Sequence, residues 1–335
     1  MSATIKDIAQ KTGLGLATIS SYLNGGNVRE YNRIKIEQAI EELHFEVNEV
    51  ARGLKTNSPR TIGVIIPQLD NLFFTGIISE CASILREQGY ATIVCDCGNS
   101  LAKEKEVISF FTKKRVDGII ISPISSESKH IKSFAEKKPV IVIDRKMSDL
   151  NCSSVLVNNR KAVEQAITHL IDNGHSKIGF IGGSDSLYTA RERLKGYQQI
   201  MEKFGYYQES YVEKTDFTIE GGRKGAELLL KRHPDLTALF LSNYETTVGS
   251  LIAVNEAGYR IPEDLSIIGY DSKDFARAYS PKLSIIVQPT EQIAAETANC
   301  MLNLLKESRD SAEKKEAIHI ELQAELINGA SVSKI

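Results

Sequence analysis

The spacing of apolar positions changes character once along this chain, near residue 60. Before that point they recur at helical intervals. Ile5, Ile8 and Ala9 form one face, Ala17, Ile19, Tyr22 and Leu23 a second, and Ile34, Ile36, Ala39, Ile40 and Leu43 a third. Gly13 separates the first two runs, and Asn24, Gly25 and Gly26 close the second. Two short helices about a tight glycine turn, with a third helix packed on them, make a helix-turn-helix pattern. A helical stretch over 48–58 follows and should stop at Pro59, because a proline pushes the residue before it out of the helical region. It reads as a hinge.

From Thr61 strands and helices alternate. The strands expected at Ile62–Pro67, Ala91–Cys95, Gly118–Ser122 and Val140–Asp144 are separated by helices at Ile77–Gln88, Glu104–Lys113 and Ile131–Glu136. A second set follows. Helices at Ala162–Asn173, Ala190–Phe204, Gly221–Arg232 and Thr246–Ala257 alternate with strands at Lys177–Ile181, Ala238–Leu241 and Leu265–Tyr270. Runs such as Ile119, Ile120 and Ile121 suit strands covered on both faces of a parallel sheet. Two doubly wound parallel sheets imply two lobes, and ligands in such sheets bind beyond the carboxyl ends of the strands. The expected organisation is an all-α head over 1–46, a hinge and linker over 47–59, and an α/β body over 60–335. Its first lobe takes about 60–158 and 290–320, its second about 159–289 and 321–335.

Composition adds limits. With 42% hydrophobic and 25% charged residues, the chain of 335 residues is an ordinary globular mixture. Its formal net charge of −2 means that any affinity for nucleic acid must sit in a local surface. The five cysteines, Cys81, Cys95, Cys97, Cys152 and Cys300, fit no zinc or disulfide frame and read as small buried hydrophobes in a reducing cytosol. The first residues carry no apolar run of a secretion signal, and no apolar stretch approaches 18 residues. Both point to a cytoplasmic protein without a membrane partner. Gly179, Gly182 and Gly183 do not make the dinucleotide-binding spacing, and no Ser-His-Asp or metal-ligand set stands out, so neither an enzyme nor a cofactor is expected. His175, after Gly174 at a helix end, reads as a packing histidine.

At this point the residues resemble the lactose-repressor (LacI) family over essentially the whole chain. The head carries Thr4-Ile5-Lys6-Asp7-Ile8-Ala9, Gly13, Ala17-Thr18-Ile19-Ser20 and Leu23-Asn24. The hinge carries Asn48-Glu49-Val50-Ala51-Arg52-Gly53-Leu54. In the body stand Thr61-Ile62-Gly63, Asp70-Asn71-Leu72-Phe73-Phe74, Asp117-Gly118-Ile119, Ile143-Asp144-Arg145, Gly174-His175, Arg193-Leu194-Lys195-Gly196-Tyr197 and Gly269-Tyr270-Asp271. Each fragment is weak alone; together, in order and at the right distances, they are specific. The resemblance implies a homodimeric transcription repressor that binds a pseudo-palindromic operator, with effector lobes like those of sugar-binding proteins.

For the head, the resemblance makes the second helix the major-groove reader. Leu16 and Ala17 occupy base-reading positions, where apolar side chains suit thymine methyls. Thr18 and Ser20 can bond phosphates or base edges, and Thr4, Asn24, Tyr31, Arg33 and Asn48 complete the expected backbone and base contacts. Leu54 matches the family's minor-groove wedge, with Arg52 and Lys55 flanking it. Two departures stand out. Gly15 replaces the usual capping serine, at a cost of a few tenths of a kcal/mol. Ser21 stands where the family often has Arg, which reads guanine for about 1–3 kcal/mol, so this operator is expected to lack that guanine. Residues 1–60 hold eight Lys/Arg against seven acids, so a single head is only mildly basic and dimerisation must add affinity.

For the cleft, the expected effector ring is Asn71, Phe73, Phe74, Asp144, Arg193, Asn243, Asp271 and Gln288. An aromatic pair with acids, an arginine and amides favours a sugar or sugar phosphate. The family often has Asp where Asn158, Tyr244 and Ser272 stand here, which weakens transfer of any particular effector. Two alternatives are a transporter's solute-binding protein, which would have no use for residues 1–60, and the same regulator answering a non-sugar corepressor. With no heptad tail after the last strand, a dimer is expected rather than a tetramer.

Overall fold

A computed structural model describes residues 3–23, 26–45, 58–147, 149–310 and 316–335. The chain divides into two compact units, residues 1–59 and 60–335.

The first unit holds α1 (Ile5–Thr12), α2 (Leu16–Leu23) and α3 (Glu30–Glu42). Each begins and ends for a local reason. Thr4 and Asp7 form a reciprocal capping box at the start of α1. Gly13 ends that helix at φ 69°, a left-handed conformation that glycine adopts without a Cβ clash. Ile8, Ile19, Ile36 and Ala39, one or two from each helix, form the core, and Leu14, Tyr22, Leu23, Val28 and Phe45 pack around it.

The second unit contains two six-stranded sheets. The first lobe runs β1 (Thr61–Ile66), α4 (Leu72–Glu87), β2 (Ala91–Asp96), α5 (Leu101–Lys114), β3 (Gly118–Ile121), α6 (Lys129–Ala135), β4 (Val140–Ile143) and β5 (Ser153–Val157). The second runs α7 (Asn159–Asp172), β6 (Ile178–Gly183), α8 (Tyr188–Lys203), β7 (Val212–Thr215), α9 (Ile219–Arg232), β8 (Ala238–Leu241), α10 (Tyr244–Glu256), β9 (Ser266–Tyr270), α11 (Lys273–Ala278) and β10 (Ser284–Val287). The chain then returns through α12 (Thr290–Asp310) to β11 (His319–Leu322) in the first sheet and ends with β12 (Glu325–Ile327) in the second.

The sheet orders are β11-β5-β4-β3-β1-β2 and β12-β10-β9-β8-β6-β7. The two lobes therefore share one strand order, with β3, β4 and β5 of the first corresponding to β8, β9 and β10 of the second. All pairings are parallel except one. The sequence reading expected wholly parallel sheets, but β12 runs antiparallel to β10. The reason is the short connection from β11 to β12, which brings the chain onto an edge from the opposite direction. Several helices also start earlier than periodicity suggested. Asn71 Oδ1 accepts from the amides of Phe73 and Phe74 at 3.1 and 3.3 Å, which starts α4 at Leu72 rather than Ile77.

Among the described residues, no helix is long and apolar enough to cross a membrane, and no cluster of three or more His, Cys, Asp or Glu could hold a metal ion.

Candidate functional site

Two surfaces carry the expected site residues. In the head, the amino-terminal ends of α1 and α2 enclose a concave face lined by Ile5, Lys6, Leu16, Ala17, Ser20 and Ser21. Leu16 is 48% exposed and Ala17 is exposed too, while Ile19 on the opposite side of α2 is fully buried. An apolar pair at the exposed start of a short helix does nothing for the head's core; it suits contact with thymine methyls. Ser21 lies on this face and meets Gly26. The Gly26 amide donates to the Ser21 carbonyl at 2.8 Å, and a Cβ on Gly26 would collide with Ser21 Oγ.

Several charged residues of the head are paired within it. Arg33 reaches Glu30 at 2.8 Å and Glu37 at 4.0 Å. Lys11 pairs with Glu42. Such exposed pairs are weak, so a phosphate can replace the carboxylate. Tyr31 is 68% exposed, with the Lys35 ammonium 4.7 Å over its ring. Thr4 is occupied as the α1 cap: its hydroxyl donates to Asp7 Oδ2 at 2.7 Å. Asn24, Asn48, Arg52, Leu54 and Lys55 lie outside the described residues.

In the second unit, the carboxyl ends of corresponding strands bring polar residues together from both lobes. Ser122 follows β3 and Ser242 follows β8; each amide donates to the neighbouring strand at 3.0 Å, to Ile65 and to Ile181. Asp144 follows β4 and Asp271 follows β9. Both adopt left-handed backbone conformations, φ 63° and 78°, which aspartate tolerates better than most residues. Arg193, projecting from α8, stands between them. Its Nε donates to Asn159 Oδ1 at 2.7 Å and its Nη1 to the Ser242 carbonyl at 2.6 Å. Its guanidinium lies 3.9 Å over the Tyr270 ring, so it is clamped as well as buried. Asn159 is held in turn by its own donation to the Val157 carbonyl at 3.0 Å.

Burial pushes the Asp144 and Asp271 carboxyls above the usual carboxylate range, against the pull of Arg145 and Arg193 on the first and of Arg193 and Gln288 on the second. Gln288 Nε2 donates to Asp271 Oδ1 at 2.6 Å, and its Oε1 is buried without a partner. Ser242 Oγ is likewise buried and unpartnered. Asn243 caps α10, its Oδ1 accepting from the Thr246 amide at 2.9 Å. Phe73 and Phe74 are placed differently from the sequence reading. Because α4 begins at Leu72, both rings turn into the core, 9% and 5% exposed, in edge-to-face contact at 5.2 Å. Both are as buried as Asp144, Arg193, Asn243 and Gln288.

Sequence reasoning missed Glu245, on the first turn of α10. Its two carboxylate oxygens accept from Asn71 Nδ2 at 2.9 Å and from Asn243 Nδ2 at 2.5 Å. Burial, with Asp271 and Asp70 nearby, pushes its carboxyl up to about 7. The strand-end serines were missed as well, although their matching positions after β3 and β8 are visible once the repeat of the two lobes is recognised. His175 is buried and bridges Thr237 Oγ1 at 2.9 Å and the Ser333 carbonyl at 3.0 Å, a packing role.

Comparison with known proteins gives the family. Residues 4–48 match the lacI family of bacterial regulatory proteins, and residues 167–332 match a periplasmic binding protein-like domain. The HTH-type transcriptional repressor PurR of Vibrio campbellii is 31% identical over 337 residues, covering 99% of both chains. The chain belongs to the lacI family. As a member of that family it is a DNA-binding transcription repressor and not an enzyme. The Vibrio vulnificus PurR repressor is 30% identical over the same share of both chains. Among solved structures, a LacI-family regulator of Enterococcus faecium with bound ribose is 27% identical, with a TM-score of 0.72 over 82% of this chain and 99% of that one. The Lac repressor dimer bound to operator and an anti-inducer is 22% identical and shares the fold, with a TM-score of 0.86 over 99% of this chain and all of that one.

Proposed function

We propose that this lacI-family repressor acts in the cytoplasm as a homodimer on a pseudo-palindromic operator, and that an uncharged polyhydroxylated molecule of the sugar class controls it from the cleft between the lobes. The observation that carries the effector class is the polar floor around Arg193. Asp144, Asp271 and Glu245 are carboxyls that burial pushes toward their neutral form, and Arg193 and Arg145 are already faced by Asp144, so the site holds hydrogen-bonding groups for hydroxyls and no guanidinium left over for a phosphate. The buried, unpartnered Ser242 Oγ and Gln288 Oε1 suit hydroxyl groups, which donate and accept. The ribose bound to the Enterococcus faecium regulator is of the same chemical class. Control then works by population shift: a ligand that binds one lobe arrangement better draws the dimer toward it and changes the spacing of the two heads.

The test is a thermal-shift panel of the full chain against free sugars, their phosphates, nucleobases and amino acids. A ligand that binds the folded state raises the midpoint with the logarithm of its excess over Kd. A free sugar should raise it, and its phosphate should not. A shift given only by phosphates or nucleobases overturns the effector class and leaves the DNA-binding repressor standing.

A further inference from the structure

The contact between Asn71 and Glu245 joins the two lobes, and its donors and acceptors are settled by the helices around it. Asn71 Oδ1 is committed to the Phe73 and Phe74 amides as the cap of α4 in the first lobe. Its Nδ2 must therefore be the atom facing Glu245 Oε1, at 2.9 Å. Asn243 Oδ1 is likewise committed to the Thr246 amide as the cap of α10 in the second lobe, and its Nδ2 faces Glu245 Oε2 at 2.5 Å. Two capping asparagines, one from each lobe, thus share one carboxylate, and neither amide can turn over without abandoning its helix.

We infer that Glu245 is a positioning residue that ties the lobes together across the cleft and so sets the open-to-closed balance on which an effector acts. Three features favour this. The tie uses a partly buried carboxyl, where a hydrogen bond is worth more than at the surface. It meets the first lobe at a rigid helix start rather than a loose loop, so making or breaking it moves α4 and its sheet as a body. Asp70 and Asp271, the like charges beside Glu245, keep the tie weak enough for a ligand to shift. The regulatory meaning rests on the effector reading of the cleft; the tie itself is measurable without any ligand.

The experiment exchanges donor and acceptor in the full chain. Glu245→Ala removes the acceptor. Asn71→Asp keeps an oxygen to cap α4 but sets a carboxylate against Glu245. The pair Asn71→Asp with Glu245→Gln restores a donor facing an acceptor, with the roles reversed. Each protein is read by small-angle scattering and by amide exchange over 71–75 and 243–247, without effector. Both single variants should show a larger radius of gyration and lose about threefold to tenfold in the closed-to-open ratio, the worth of one hydrogen bond. The double variant should return toward the parent, a recovery that a merely structural role would not give. Single variants that fold and stay as compact as the parent overturn the proposal. So does a double variant as open as Asn71→Asp alone. The thermal-shift panel with the parent protein judges the effector reading separately.

Discussion

At the residue scale, single side chains here do one local job that the fold turns into a longer-range one. His175 is an instance. Burial holds its imidazole below the ordinary value of 6.5, against the pull of the Ser333 carbonyl, and the ring links the end of α7 to residues 237 and 333. The unfolded chain therefore binds the proton first. The histidine's contribution to stability is complete above pH 6.5 and is lost as pH falls through the lowered folded value. Urea unfolding of the parent and of His175→Gln should show the parent losing stability below pH 6.5 more steeply than the variant; parallel curves would refute this role. Ser21 is the second instance. Ser21→Arg should tighten binding to operators carrying a guanine opposite that position by about 1–3 kcal/mol. A base-preference scan showing that the parent already selects guanine there would overturn the reading.

At the element scale, helices α9 and α10 pack closely enough that glycine is required between them. A Cβ on Gly249 would run into the Ile219 carbonyl and lie 2.7 Å from the Arg223 amide nitrogen; one on Gly222 would lie 2.6 Å from Thr246 Cα. Ser250 Oγ uses the approach, donating to the Gly222 carbonyl at 3.2 Å. Because these obstacles are backbone atoms, they cannot swing away. Gly249→Ala should destabilise the second lobe by about 3 kcal/mol, seen as a lower denaturation midpoint; an unchanged midpoint would mean that the helices separate freely. Such a contact is invisible in the sequence, where Gly249 reads as one small residue in a helical run.

At the scale of the whole molecule, the proposed function draws on two surfaces built by different means. The head presents apolar and hydroxyl side chains from one short helix, so the proposed reading face follows directly from the order of residues 16–21. The cleft draws on the ends of strands far apart in the chain and on both lobes. With about one net positive charge per head over residues 1–60, high operator affinity calls for two heads at once. Equilibrium sedimentation at micromolar concentration should therefore find a dimer; a monomer or a tetramer would contradict the proposal.

Hydrophobic periodicity by itself determined the helical head, the alternating β-α body and its division into two lobes, because burying one face of an element imposes a spacing that local sequence must carry. Motif order determined the family. Short edge strands such as Val212–Thr215 and Glu325–Ile327 escaped, since a half-exposed strand of three or four residues leaves almost no pattern. Only the tertiary structure decided which polar residues meet. Arg193 is clamped by Asn159 and by the Ser242 carbonyl, and Glu245 is shared by two capping asparagines 172 positions apart in the chain. Those meetings depend on strand order and on three crossings between lobes, for which no local spacing carries a signal. The same cause turned Phe73 and Phe74 inward: one capping asparagine moved the start of a helix, and with it the direction both rings face.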